Sequence, residues 1–325
     1  MKKRALCAAL CLILCIALGG QVFAAENDVS TSIEEIDPAP TVEVEETVEE
    51  DPAVDPVVDP VEEEPEEEEV PAETEEPAAN NGVSILVNGT ALPPTADVLV
   101  ENCTTYVSYW PVVRILYPEA TAVWEGNHAL VTADGLNMKI WTSTCYLEVN
   151  DRYLYLEDGT RVVDGNILVP IRVLAKALGA EVVWNAETMG IEVVGSGTPI
   201  ESGDTFYPSE DLYWLSRIIY AESGNQPMAG KIAVGNVVLN RVADPRFPST
   251  VYGVVFQRNQ FTPASNGTIY RTPNSGSVIA AKLCLEGANT AGNSLYFVNP
   301  VTSPRSWASR NRPYVATIGA HAFFA

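Results

Sequence analysis

Histidine is almost absent from this chain of 325 residues: there are two, His128 and His321. A zinc amidase or metallopeptidase needs several ligands close together, and the spacing His-Glu-x-x-His does not occur. A Gly-x-Ser-x-Gly elbow and glycine-rich phosphate loops are missing too, which sets aside the hydrolases built on that elbow and nucleotide chemistry. Lys and Arg are scarce, 19 against 43 Asp and Glu. No strongly basic patch exists to neutralise phosphates, so nucleic acid is excluded as the natural partner. Long apolar runs are missing apart from Ala5–Leu18, 14 residues, so a polytopic membrane protein with a folded membrane domain is excluded. Basic residues are wholly absent from residues 26–80, where 23 acids fall. That block carries nearly all of the net charge of −24, and residues 81–325 sum to only −4. At roughly 100–200 residues per domain, the remainder allows two cores.

The first residues read as an export signal. Lys2-Lys3-Arg4 precedes the apolar run, Gly19-Gly20 breaks it, and Val22-Phe23-Ala24 is a small-residue cleavage pattern before Ala25. We expect residues 1–24 to be a signal peptide and the mature protein to be secreted or wall-associated. An uncleaved anchor is the alternative. A lipid anchor fits less well, because Cys7, Cys11 and Cys15 each follow a leucine. Residues 25–81 are Glu, Asp, Pro and Val without aromatics or periodicity; they cannot bury enough apolar area to offset chain entropy and are expected to be a disordered tether. Three cysteines remain: Cys103, Cys145 and Cys284. An odd count cannot be a complete disulfide set. Cys103 and Cys145 lie in one region and are a possible pair, whereas Cys284 sits in an apolar helical run and reads as a small buried residue.

Residues 82–196 read as short strands between turn residues, with internal similarity at a period near 60. Cys103 to Trp110, running on to Trp124, corresponds to Gly165 to Arg172, running on to Trp184. A helix is clearest in the second copy, where Ile171, Leu174, Ala175 and Leu178 have helical spacing before Gly179. Strands 180–184 and 190–194 follow, around a turn at 185–189. The Val87-Asn88-Gly89 opening, Leu168-Val169-Pro170-Ile171-Arg172, Ala177-Leu178-Gly179-Ala180 and Trp184-Asn185 resemble the copper-amine-oxidase N-terminal-like stalk domain of bacterial surface proteins. The first copy departs, with Ser108 and Trp110 in place of Pro and Arg. The resemblance implies spacing or binding, with other cell-wall polymers as the expected partners, and no copper is expected, since His128 is the region's one histidine and reads as a surface loop residue.

A linker is expected at 197–208, and residues 209–325 form the second domain. From 204 onward six acids face ten bases, a net of +4 that suits an anionic polymer such as a bacterial wall. Three helices are predicted: from Ser209 as N-cap to Gly224, from about 227 to 242, and from about 277 to 286. Leu212, Leu215, Ile219 and Glu222 fall on one face of the first, which places a carboxylate on an apolar face at the last turn. That is unfavourable without a task or a partner. Glu222 is therefore either an acid raised in pKa by desolvation, or the ion-pair partner of Arg217 or Arg241. The other carboxylates available are Asp204, Glu210, Asp211, Asp244 and Glu286. A Cys284–His321 nucleophile pair is disfavoured by the apolar setting of Cys284. Trp307, Tyr314, Phe323 and Phe324 read as core.

Ile218-Ile219-Tyr220-Ala221-Glu222-Ser223-Gly224, the run Gly230 to Val242, Pro245-Arg246-Phe247-Pro248, Val255 to Thr262, Leu295 to Pro300 and Ile318 to Phe323 resemble, in order, the SleB-type cell wall hydrolase domain, a family that includes spore-cortex-lytic enzymes. The resemblance implies a mainly helical fold similar to lytic transglycosylases and goose-type lysozymes, so the whole chain is expected to be α+β. It places the family's catalytic glutamate on Glu222 and implies a glycan groove lined by Gln260, Phe261, Tyr296 and Asn299, with Asn240 added as a further substrate contact. Ser223-Gly224-Asn225-Gln226 departs from the family's common Ala-Arg-Gly-Glu. The implied substrate is the peptidoglycan glycan strand, with no metal and no cofactor. One well-placed carboxylate suits lytic transglycosylation, in which the substrate's own hydroxyl is the nucleophile. A hydrolase using Asp244 as second carboxylate, or an inactive surface-binding protein, are the alternatives.

Overall fold

The computed structural model describes residues 83–186 and 190–325. The expected export signal, nearly all of the acidic tether and most of the 185–189 turn lie outside them.

The first domain is β-rich. Its elements are β1 (Ile85–Val87), β2 (Thr90–Ala91), β3 (Val98–Glu101), β4 (Thr104–Ser108), α1 (Tyr109–Leu116), β5 (Thr121–Glu125), β6 (His128–Ala133), β7 (Leu136–Trp141), β8 (Tyr146–Val149), β9 (Arg152–Tyr155), β10 (Arg161–Val163), β11 (Asn166–Pro170), α2 (Ile171–Ala177), β12 (Ala180–Asn185) and β13 (Gly190–Gly195). They form three sheets, ordered β12-β13-β1-β2, β10-β11-β4-β3 and β5-β6-β7-β8-β9. Two-residue hairpin loops set the registers. Asn88-Gly89, Asn102-Cys103, Asn150-Asp151 and Asp164-Gly165 all have positive φ, the geometry that matches strand twist in such turns.

The repeat is visible in the pairing. β4 and β11 run antiparallel with Tyr106 opposite Pro170, Val107 opposite Val169 and Ser108 opposite Leu168. The two copies thus meet about the Val107–Val169 pair, and each strand turns at once into its helix, α1 or α2. The Tyr117 hydroxyl donates to the Leu178 carbonyl at 2.8 Å, tying the end of one helix to the other. Val107, Val112, Val113, Val169, Leu174 and Leu178 are fully buried in the shared core.

The second domain is mainly helical: α3 (Gly203–Phe206), α4 (Ser209–Ser223), α5 (Met228–Ala243), α6 (Val251–Val255), α7 (Thr262–Asn266), a 3-10 turn Thr268–Tyr270, α8 (Ser275–Leu285), β14 (Tyr296–Val298), α9 (Trp307–Asn311), β15 (Tyr314–Ile318) and β16 (His321–Phe324). The small sheet is ordered β14-β16-β15. α4, α5 and α8 pack on one another around Leu215, Ile219, Val234, Val238 and Leu283. Gly235 lets them approach: a Cβ there would lie 2.6 Å from Cys284 Sγ and 3.0 Å from Ile219 Cδ1. Gly235→Ala is expected to lower stability by about 1–3 kcal/mol through overpacking, read as a fall in melting temperature.

The linker expected at 197–208 is ordered: Ser202 caps α3 by accepting from the Asp204 N–H, and Tyr207 is 5% exposed. Its two aromatics, Phe206 and Tyr207, give it surface to bury, so it packs. Asn150 Nδ2 donates to the Ile200 carbonyl at 2.9 Å, and the Tyr207 hydroxyl accepts from the Tyr153 N–H at 3.1 Å. His128 begins strand β6 and lies half-buried against Trp141, ring centroids 5.1 Å apart. Trp307 and Tyr314 are 53% and 61% exposed, whereas Phe323 and Phe324 are buried. α9 and β15 lie on the outside of the small sheet, so their aromatics reach only its rim. Cys103 is exposed at a hairpin tip, and both it and Cys145 are free thiols. Among the described residues no group of three metal-ligating side chains converges.

Candidate active site

Glu222 occupies the last turn of α4, one residue before the buried Ser223. The helix forms because Leu215, Ile218 and Ile219 recur on its inner face and are fully buried. Glu210 and Asp211 favour its N-terminal end. The helix stops where Gly224 N–H bonds back to the Tyr220 carbonyl at 2.9 Å. The stop leaves Glu222 half-buried at the edge of a cleft of about 510 Å³. Tyr220, Ala221 and Asn225 line it from the same segment as Glu222, and Thr268, Arg271 and Asn274 line it from the segment before α8. Asn274 ties the two segments: its Nδ2 donates to the Gly224 carbonyl at 3.2 Å while its Oδ1 caps α8 by accepting from the Ser277 N–H at 2.9 Å.

Burial raises the pKa of the Glu222 carboxyl. Neither cation considered as its partner reaches it. The Arg217 guanidinium lies 3.6 Å over the Tyr213 ring. Arg241 is buried, its Nε donating to the Leu295 carbonyl at 2.8 Å and its Nη1 to Gln260 Oε1 at 3.1 Å. Glu222 forms no ion pair among the described residues. The remaining carboxylates are committed or remote. Asp244 accepts two hydrogen bonds from the Arg246 guanidinium, which hold its pKa down at about 2. Glu286 is paired with Arg152 and Lys176. Glu210 and Asp211 stand in the first turn of α4, at the far end of the helix from Glu222.

The residues expected to line a groove are distributed differently. Gln260, Phe261 and Tyr296 come together around Arg241, whose guanidinium carbon is 5.3 Å from the Phe261 ring centroid and 5.5 Å from that of Tyr296. Phe261 is 6% exposed and belongs to the core. Asn240 Nδ2 donates to the Gly292 and Ser294 carbonyls at 2.9 and 3.0 Å, fixing the loop before β14. Asn299 Oδ1 accepts from the Val301 and Thr302 N–H groups in a turn of its own. None of these five lines the Glu222 cleft. Cys284 is buried and accepts no role as nucleophile, since desolvation drives its thiol pKa far upward.

Sequence reasoning missed Thr268, Arg271 and Asn274. Asn274 alone carried a signal, an N-cap residue before the apolar run of α8. It also missed an interlocked aromatic surface beside the cleft. Trp214 packs edge-on against Tyr213, Tyr252, Phe256 and Tyr270 at centroid distances of 4.8 to 6.1 Å. The departing segment 223–226 is half structural: Ser223 is fully buried, and Gln226 Oε1 accepts from the Ala320 N–H at 2.8 Å.

Residues 225–324 match the Cell Wall Hydrolase family, and residues 86–193 match the Copper amine oxidase N-terminal domain. A spore cortex-lytic enzyme of Bacillus cereus is 38% identical over 127 residues, 39% of this chain and 48% of that protein. One from Oceanobacillus iheyensis is 35% identical over 127 residues, 39% of this chain and 46% of that protein. Among solved structures, the catalytic domain of the germination-specific lytic transglycosylase SleB from Bacillus anthracis is 36% identical, with all of that chain (100%) covered by 39% of this one and a TM-score of 0.35. The chain spans about half the length of these two curated relatives. Glu222 lies three residues ahead of the matched family span. By these matches the C-terminal domain is similar to the cell wall hydrolase family, and the domain ahead of it is similar to the copper amine oxidase N-terminal domain.

Proposed function

We propose that the protein is an exported, wall-associated enzyme that cleaves peptidoglycan at the bond between N-acetylmuramic acid and N-acetylglucosamine. The reading is that of a lytic transglycosylase with Glu222 as its one catalytic residue. One observation carries it: Glu222 is a half-buried carboxyl in an open cleft, raised in pKa by burial and unpaired, while the carboxylates that could assist it are engaged or remote. The names of the relatives, spore cortex-lytic enzymes, favour the same chemistry.

The mechanism follows from one carboxyl. Protonated Glu222 gives its proton to the glycosidic oxygen as the C1–O bond breaks. The carboxylate then takes the proton of the muramoyl C6 hydroxyl, whose oxygen bonds to C1 and leaves a 1,6-anhydro end. Glu222 returns to its protonated state and no water is consumed. Arg271 supplies a cation at the cleft for the carboxylates of the wall, and Tyr270, in the segment joining Thr268 to Arg271, offers a face for a sugar. Tyr296 and Gln260, gathered on Arg241, orient the strand further along. Asn240 and Asn299 shape that region through the backbone they hold, and Phe261 through its buried ring. Tyr296→Phe is expected to lower turnover severalfold; unchanged turnover removes Tyr296 from this role.

The decisive experiment is mass spectrometry of fragments released from purified vegetative and cortex peptidoglycan. Anhydro ends, one water lighter than reducing ends, support the proposal. Reducing ends move the reaction to hydrolysis. Asp244→Asn separates the two: the product pattern is expected to stay unchanged, because Asp244 is bound to Arg246 and is a poor base with a pKa of about 2. Absence of fragments from both walls makes the protein a surface-binding relative.

A further inference from the structure

The first domain holds a cleft of its own, about 420 Å³ in volume, between β4, the segment after β9, the start of α2 and strand β12. Its floor and rim differ in chemistry. Tyr106, Leu156 and Ile171 are buried at the floor. The Tyr106 hydroxyl is buried without a hydrogen-bond partner, which leaves one unsatisfied polar group there. The rim carries exposed Glu157, Asp158 and Arg172. Neither Glu157 nor Arg172 joins an ion pair among the described residues.

Above them stands Trp184, 57% exposed. It lies on β12, the edge strand of its sheet, beside Val183, which is 47% exposed. Successive strand residues face opposite sides, so one of these two would ordinarily be buried. An indole left in water beside a concave polar site has the character of a binding surface.

The combination selects a ligand. A pyranose has a face of C–H groups, which stacks on an indole, and a rim of hydroxyls, which pair with carboxylate and guanidinium groups. Two carboxylates against one guanidinium disfavour a polyanion such as a polyol phosphate. We propose that this cleft binds a pyranose unit of the wall glycan, which makes the first domain a second glycan contact besides the Glu222 cleft. The inference rests on the proposed function only in naming peptidoglycan as the polymer. Two contacts on one chain raise the effective concentration of strand at the second once the first is filled.

The test uses the full chain carrying Glu222→Gln, so that ligand is not consumed, titrated by calorimetry with peptide-free glycan strands from amidase-treated peptidoglycan. Adding Trp184→Ala or Arg172→Ala is expected to weaken binding by about tenfold, with unchanged melting temperature because both side chains are exposed. Unchanged affinity in both variants overturns the proposal, as does absence of glycan binding by the parent. Trp184-dependent binding of free stem peptides in place of glycan overturns the sugar assignment. The two readings fail separately: a chain that releases no fragments yet binds glycan through Trp184 loses the enzymatic function and keeps this one.

Discussion

Glu222→Gln is expected to abolish release of soluble fragments from peptidoglycan, a loss of at least about 10²-fold, and to leave the protein as stable as before or slightly more so. The rate effect follows from the proposed mechanism: the amide can neither give a proton to the glycosidic oxygen nor take one from the C6 hydroxyl, and general acid–base catalysis is worth about 10²–10⁴-fold. The stability effect follows from the raised pKa. A group whose folded pKa lies above its unfolded value contributes stability that is fully present below the unfolded value and is lost as pH rises through the folded one. At neutral pH the ionised Glu222 is therefore a net cost to the fold, because burial opposes its charge without a cation to offset it. The neutral amide removes that cost. Activity should show the same titration, falling as pH rises past the folded pKa, since the first step needs the protonated form. A stable variant that still releases fragments removes Glu222 from the chemistry; a variant that melts lower assigns it a structural role.

The position of this carboxylate was legible because it breaks a pattern. Leu215, Ile219 and Glu222 share a helical face, and a short periodic segment beside a glycine fixes both helix and helix end. The repeat was legible for the same reason, as two copies of strand, helix and strand around similar landmarks. What the sequence hid is what depends on distant residues. The walls of the cleft come from Thr268 to Asn274, and nothing local distinguishes Arg271 from the exposed arginines 305 and 310. Gln260, Phe261 and Tyr296 meet at the buried guanidinium of Arg241, which helical periodicity alone cannot place at a core. Trp307 and Tyr314 were misread because an aromatic in a short C-terminal strand or helix is assigned by type, whereas its burial depends on which face of a three-stranded sheet is covered. The order of the linker was hidden likewise, because Ile200 and Tyr207 find their partners in the Asn150–Tyr153 hairpin, about fifty residues earlier.

Glu286→Ala is expected to be the most destabilising single change outside the helical core, and to separate one melting transition into two. The Glu286 side chain is 2% exposed. Its carboxylate accepts from Arg152 Nε at 2.6 Å and Nη2 at 3.0 Å, from Lys176 Nζ at 2.8 Å, and from the Tyr207 hydroxyl at 3.3 Å. Arg152 and Lys176 belong to the first domain, 134 and 110 residues away in sequence, and Tyr207 to the connection between the domains. Beside them Lys282 Nζ donates to the Asp151 carbonyl at 3.0 Å. Removal of the carboxylate strands a buried guanidinium, 9% exposed, against the Phe206 ring. Breaking a buried pair by one partner costs about 3–5 kcal/mol, and the half-exposed Lys176 argues for the lower figure. Arg152→Met together with Glu286→Met should recover most of the loss, since an apolar pair of similar volume is tolerated where a lone charge is not. The pH dependence has a definite sign. Burial pushes the Glu286 pKa up, but hydrogen bonds from Arg152 and Lys176 outweigh it and hold the pKa below its ordinary value. Its contribution is therefore present above the unfolded pKa, about 4.3, and is lost as pH falls through the folded value. The difference in melting temperature between wild type and Glu286→Ala should be full at pH 7 and shrink below about pH 4. Equal stability of the two at neutral pH, or a single transition in the variant, would show that the domains are held by the apolar contacts of Tyr146, Tyr153 and Tyr155 with the helical core and not by this carboxylate.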